Sequence, residues 1–251
     1  MSFEERVALV TGSSRGIGAA IAAAFGRAGA DVAVNYRSPA GSSPAKAERV
    51  CEGLRALGRR AIAVRADIGD ASACRQLVDA VVQAFGRLDF LVLNAARAPF
   101  KPYERLLERE LRELVQTNFI GNVLCLRAAL PWLEKVSGRV VFVSSLGSRR
   151  YAPSYPLGSM KAAMEVVVRD CAQSLRPRGV AVNAVCGGIV RTDSYKALRQ
   201  VWGGLEALPE DALVAPEEIA EVVLFLCSPA ARAISGQTVA VDRGLGNRLS
   251  L

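Results

Sequence analysis

The sequence predicts an α/β fold, a doubly wound parallel sheet of seven strands in a single domain spanning 1–251. Three observations carry this. Seven near-continuous apolar runs alternate with segments of helical periodicity. The first run ends in a glycine-rich turn that opens a helix. No linker, internal repeat or low-complexity segment breaks the alternation. Strands covered by helices on both faces bury both sets of side chains, so they read as apolar runs rather than as alternating patterns.

"RVALVTG" is the first strand, and the alanine-rich "GAAIAAAFGRAGA" is the helix after it. "DVAVNYR" follows as a strand, "AKAERVCEGLRALG" as a helix with one apolar face, and "RAIAVRADI" as the third strand. "ASACRQLVDAVVQAFG" is helical, "LDFLVLNAA" extended, and "RELRELVQTNFIGNVLCLRAALPWLE" one long helical stretch before the strand "GRVVFVSSL". "MKAAMEVVVRDCAQSLRP", "GVAVNAVCGG", "PEEIAEVVLFLCS" and "GQTVAVDRG" repeat helix and strand to the end. One segment breaks the rhythm. Residues 193–215 form a longer connection after the sixth strand, at the sheet end where such folds bind ligands, with Leu198, Val201, Trp202 and Leu205 beside Gly203 and Gly204. A substrate lid is expected there, with a surface helix pair as the alternative.

Composition narrows the chemistry. The chain contains no histidine, which excludes Ser-His-Asp and Cys-His catalysis. Its six cysteines are scattered without C-x-x-C spacing, so they are expected to be reduced packing residues, and no metal site is expected. Proton transfer must then use Tyr, Lys, Ser, Cys or a carboxylate. The net charge is +8, but the arginines are spread along the chain without a basic helix or interleaved aromatics. That pattern argues for solvated surface and phosphorylated ligands rather than nucleic acid. No apolar run reaches the roughly 18 residues needed to span a bilayer. The acidic start "MSFEERVALVTG" does not resemble a signal peptide, so a cytoplasmic protein without a membrane partner is expected.

In "VALVTGSSRGIGAAIA", Thr11, Gly12, Gly16 and Gly18 lie between strand and helix. Glycines let backbone approach a pyrophosphate, and the helix N-terminus stabilises its charge. Ser14, Arg15 and Ile17 complete this turn. At the end of the second strand, an acidic residue would bond a ribose 2′-hydroxyl; this chain has Tyr36, Arg37 and Ser38 instead. Arg37 with Arg15 suits a 2′-phosphate, so the expected cofactor is NADP(H).

These residues and others in order resemble the short-chain dehydrogenases/reductases. "TGSSRGIG" is similar to that family's cofactor loop, Asp67 and Ile68 to its adenine contacts, and "LNAA" with Asn94 and Ala95 to its NNAG motif. Asn118 in "QTNF" matches the family's helix asparagine, which positions a relay water, and "GQTVAVDRG" matches its usual ending. The resemblance implies a Rossmann-like sheet and a homo-oligomer, tetramer or dimer. It also implies that a serine, a tyrosine and a lysine work at the nicotinamide. Tyrosine donates the proton, and lysine holds the ribose and lowers the tyrosine pKa.

The usual spacing is Y-x-x-x-K, about 40° apart on a helix. Here Leu157 stands four residues before Lys161, and Tyr155 stands six before it. Six residues are about 120° apart, so Tyr155 cannot share a helical face with Lys161. Pro156 makes Tyr155 a pre-helical residue aimed by the loop. Tyr155 and Lys161 are the expected catalytic pair. Ser145 is preferred over Ser144 as the serine, and Tyr151 is either a second substrate contact or a packed aromatic. "SSLGSRRYAPSY" before "KAAMEVVVR", and "NAVCGGIVRTD", are similar to an enoyl-acyl-carrier-protein reductase branch that uses Y-x6-K. In the second segment Gly187, Gly188, Val190 and Thr192 would hold the nicotinamide end. The expected function is NADPH-dependent reduction of an enoyl thioester carried on acyl carrier protein or coenzyme A, with Arg149, Arg150 and Arg191 facing the carrier. A β-ketoacyl or polyketide-type ketoreductase and a catalytically silent cofactor-binding protein are the alternatives.

Overall fold

The computed structural model describes residues 1–201 and 209–247. Seven strands, β1 (Val7–Val10), β2 (Asp31–Tyr36), β3 (Ala61–Arg65), β4 (Phe90–Leu93), β5 (Arg139–Ser145), β6 (Ala181–Gly187) and β7 (Thr238–Val241), form one sheet in the order β3-β2-β1-β4-β5-β6-β7. Every pairing is parallel. The strand order reverses between β1 and β4, which opens a crevice at their carboxyl ends.

Helices α1 (Gly16–Arg27), α2 (Ser43–Ala56) and α8 (Pro216–Cys227) pack on one face, burying Ile21, Phe25, Leu54 and Val223 against the sheet. Helices α3 (Ala71–Phe85), α5 (Asn122–Lys135) and α6 (Leu157–Ser174) cover the other with Leu77, Val81, Leu133, Met164 and Val168. Local chemistry sets the helix ends. Asp70 caps α3 by accepting the Ser72 and Ala73 amides, and Gly86 ends it in the left-handed region at φ +79°. Pro216 starts α8, where the Glu218 carboxylate accepts the Ala215 amide at 2.8 Å.

The long helical stretch expected before β5 is interrupted. α4 (Glu108–Val115) passes into a π-helical turn at Gln116–Gly121 before α5 begins. Two tertiary contacts explain the wider turn. Gln116 Nε2 donates to the Gly69 carbonyl at 2.8 Å, and Gly121 lies so close to Ile68 that a Cβ there would stand 2.3 Å from the Ile68 oxygen. In the expected lid, α7 (Asp193–Val201) is helical, and the Val214 and Arg191 backbones bond across to close the connection. Trp202, Gly203, Gly204 and Leu205 lie outside the described residues.

One buried side chain joins three parts of the cofactor end. Asn35 Oδ1 accepts the Gly12 amide at 2.9 Å, and its Nδ2 donates to the Ala66 and Val64 carbonyls at 3.1 and 3.3 Å. Its own amide donates to the Ser13 hydroxyl at 3.0 Å. Asn35→Ala would leave buried polar groups unpaired, so a loss of about 2–4 kcal/mol is expected. A urea midpoint unchanged from wild type would contradict this role.

Candidate active site

The turn after β1 is held from both sides. The Thr11 hydroxyl accepts the amides of Asn94 and Ala95, each at 3.0 Å, and donates to the Val92 carbonyl at 3.2 Å. Asn94 Nδ2 donates in return to the Thr11 and Gly12 carbonyls at 2.9 and 3.1 Å. Gly12 adopts φ +63°, and a Cβ on it would stand 2.8 Å from Ala95 Cα. At Gly18 a Cβ would come within 2.5 Å of the Gly12 oxygen. No larger residue fits either position.

This turn opens α1 onto a cavity of about 860 Å³ that crosses the crevice between β1 and β4. All of the residues expected to hold the dinucleotide line it, from Arg37, Ser38 and Asp67 at one end to Lys161, Gly187 and Thr192 at the other. Ser43, Thr117, Leu245 and Gly246 also line it. At the Arg37 end, the guanidiniums of Arg37 and Arg15 are half-exposed and meet Asp67 and Asp193 only at 4.0 Å. Such long, wet pairs leave both cations available to an anionic ligand. A glycine cradle, a helix N-terminus and two available arginines in one elongated cavity fit a dinucleotide.

At the other end, Pro156 caps α6 with φ −63° and ψ −14°, and Leu157 is the first helical residue. Tyr155 therefore precedes the helix. Its hydroxyl donates to Ser145 Oγ at 3.4 Å, its ring stacks on Phe100, and both Tyr155 and Lys161 line the cavity. Burial raises the phenol pKa, and the bond to Ser145 opposes this. Lys161 is buried, donates to the Val143 carbonyl at 2.5 Å and lies 4.6 Å above the Phe142 ring. Burial lowers its pKa from 10.5 to about 8, with Cys186 and Glu165 pulling the other way.

The two serines have different surroundings. Ser144 Oγ donates to Glu165 Oε1 at 2.5 Å in a buried contact. Ser148 donates to the same oxygen at 2.7 Å, and Arg149 Nε reaches Oε2 at 3.3 Å. Glu165 thus ties the loop after β5 to the helix that carries Lys161. The sequence reading missed it, although its place one turn after Lys161 was a usable signal. Asn118 lies outside the cavity lining. Its Oδ1 accepts the Arg97 amide at 2.9 Å, and its Nδ2 donates to the Arg97 and Leu114 carbonyls at 2.6 and 2.7 Å. Its side chain holds the segment after β4. Tyr151 is 92% exposed at the rim, so it is not a packed aromatic. Of the three arginines expected to meet a carrier, Arg149 pairs with Glu165 and Arg191 with Glu210, while Arg150 lies exposed on the rim.

A buried Lys and a Tyr at the far end of a cavity shaped for a dinucleotide point to a class, the nicotinamide-dependent oxidoreductases. Residues 12–246 match the family model described as Enoyl-(Acyl carrier protein) reductase. The chain is 36% identical to the 1-cyclohexenylcarbonyl-CoA reductase of Streptomyces collinus, over 96% of this chain and 86% of that protein. It is 35% identical to the 3-oxoacyl-acyl-carrier-protein reductase of Staphylococcus aureus strain Mu50, over 95% and 97% of the two chains. A short-chain dehydrogenase from Burkholderia cenocepacia J2315, solved in complex with NADP, superposes with a TM-score of 0.88 at 34% identity, covering 99% of this chain and all of that one. The protein belongs to the short-chain dehydrogenase/reductase superfamily and is an oxidoreductase of that family.

The depressed Lys161 pKa has a consequence for stability. Between about pH 8 and 10.5 the unfolded chain binds the lysine proton that the folded chain has released. Stability contributed by this group therefore rises with pH across that window and is lost as pH falls through it. Lys161→Met should melt above wild type at pH 7, with the gap narrowing toward pH 10. A gap independent of pH would contradict the assignment.

Proposed function

We propose that the protein is an NADPH-dependent reductase of an activated C=C bond, acting on an enoyl thioester carried on acyl carrier protein or coenzyme A. The observation that carries this reading is the pre-helical Tyr155, which shares a cavity with buried Lys161 while Leu157 takes the place of the usual acid. The family model's description supports it. So does the Streptomyces collinus relative, whose named substrate is an α,β-unsaturated thioester.

Arg37, Arg15 and Ser38 would hold a 2′-phosphate, and the turn from Gly12 to Gly18 would hold the pyrophosphate. Gly187, Gly188, Val190 and Thr192 would hold the nicotinamide end. When bound, the cofactor supplies hydride. The protein must then stabilise negative charge on the thioester oxygen and deliver a proton. Tyr155, kept protonated by its raised pKa, donates a hydrogen bond to that oxygen, and Ser145 Oγ stands beside it as a second donor. Lys161 would place its charge at the ribose; burial, not this charge, sets the direction of the Tyr155 shift, upward rather than the lowering the family resemblance implies. Exposed Arg150 and Tyr151 at the rim offer an anionic carrier its first contacts. Tyr195 and Leu198 of α7 line the cavity, consistent with a covering role for that segment. Leu107, Leu111, Ile120 and Val166 are exposed at the start of α4, on α4, on the π turn and on α6, which supports association with further copies of the chain. Among the described residues no helix is long and apolar enough to cross a membrane.

A ketoreductase is the second reading, favoured by the Staphylococcus aureus relative. Oxidation of NADPH with crotonyl-CoA and with acetoacetyl-CoA separates the two, and turnover of the keto thioester alone would overturn the first. Tyr155→Phe should lower kcat about 10²–10⁴-fold. Unchanged turnover would remove Tyr155 from the chemistry. Arg37→Ala should weaken NADPH binding about ten- to a hundredfold while sparing NADH, as read by fluorescence titration. Equal losses for both cofactors would contradict a 2′-phosphate contact.

A further inference from the structure

Tyr155 lies outside α6, so no helical turn directs its side chain toward the face that Lys161 presents. The next residue is a proline, which supplies no N–H to anchor the segment. Something else must aim the phenol. Two aromatic residues on the connection between β4 and α4 touch this segment. Phe100 stacks on the Tyr155 ring with centroids 6.2 Å apart and planes 16° from parallel. On another side Gly147 clears the ring's path, because a Cβ there would stand 2.7 Å from Tyr155 Cδ1.

Tyr103 grips the adjoining residue. Its hydroxyl lies 3.1 Å from the Pro156 carbonyl and 2.5 Å from Ser159 Oγ, and Ser159 Oγ lies 2.8 Å from the same carbonyl. Two hydroxyl protons serve these three contacts. Either Tyr103 donates to Pro156 and Ser159 to Tyr103, or Tyr103 donates to Ser159 and Ser159 to Pro156. Both arrangements tie the connection to the first turn of α6, directly beside Tyr155.

We infer that Phe100 and Tyr103 are positioning residues that aim Tyr155 over the site, doing from a separate loop what a shared helix does when acid and lysine stand four residues apart. This rests on the reading of Tyr155 as the proton donor. It also gives the connection after β4 a role in the reaction without contact to the reacting atoms.

The test uses the full-length protein labelled with ¹³Cζ-tyrosine, the Tyr155 signal being assigned by its loss in Tyr155→Phe. Tyr103→Phe removes one hydroxyl, and Phe100→Leu removes the stack at similar volume. In either variant the Tyr155 titration should move down toward the ordinary tyrosine value as the phenol loses its enclosure. The kcat for crotonyl-CoA should fall about tenfold or more, since small misplacements of reacting groups are costly, with melting temperature and NADPH affinity held. The fall in kcat should vanish when Tyr155 is already Phe. A Tyr155 titration that matches wild type in both variants overturns the inference, whatever turnover does. Equal losses with and without the Tyr155 hydroxyl also overturn it, because they show a merely structural role. If the titration moves but Tyr155→Phe turns over normally, the positioning stands and the proposed proton donor falls.

Discussion

The Lys161 end of the cavity depends on one close approach. α6 meets the loop after β5 where Gly158 faces Gly147, and a Cβ on Gly158 would stand 2.3 Å from the Gly147 oxygen. Only a residue without a side chain allows helix and loop to come together there. That contact lets Lys161 sink against Val143 and brings Tyr155 within reach of Ser145. It also lets Glu165 collect one donor from the end of β5 and two from the loop after it. A lysine buried this deeply is costly in its charged form. The backbone carbonyl and the Phe142 ring face supply the local compensation.

The cofactor end follows a different principle. Among the described residues there, neutral side chains carry the contacts: Asn35 and Asn94 satisfy the backbone of a turn that cannot pair within a strand or helix, and Thr11 satisfies the amides after β4. Asn35 within β2 and Asn94 after β4 both bond Gly12, and Thr11 and Asn94 bond each other's backbone. The turn is therefore shaped before a ligand arrives, which lowers the ordering cost of binding.

Much of this could be read in the sequence. Seven apolar runs gave the strand count, and the glycines gave the turn, because both signals are local. Tyr155 before the helix was legible from Pro156, a local constraint on backbone conformation. What was hidden depends on contacts between distant segments. Asn35 looks like an interruption in a strand until Gly12 and Ala66 are seen around it. The π turn depends on Ile68 and Gly69, more than 40 residues away, so helical periodicity alone reads straight through it. The committed amide of Asn118 and the grip of Tyr103 have no periodic signature for the same reason.

The reversal of strand order between β1 and β4 has a consequence for how such a protein can change. The arginines near the expected 2′-phosphate come from α1's entrance and the end of β2, whereas Tyr155, Lys161, Phe100 and Tyr103 all come from later in the chain. Substitutions at the two groups of residues thus fall on separate halves of the sheet. Additive effects are expected of substitutions in the two groups. A lineage built on this arrangement can revise its redox supply and its substrate in separate steps, without passing through intermediates defective in both.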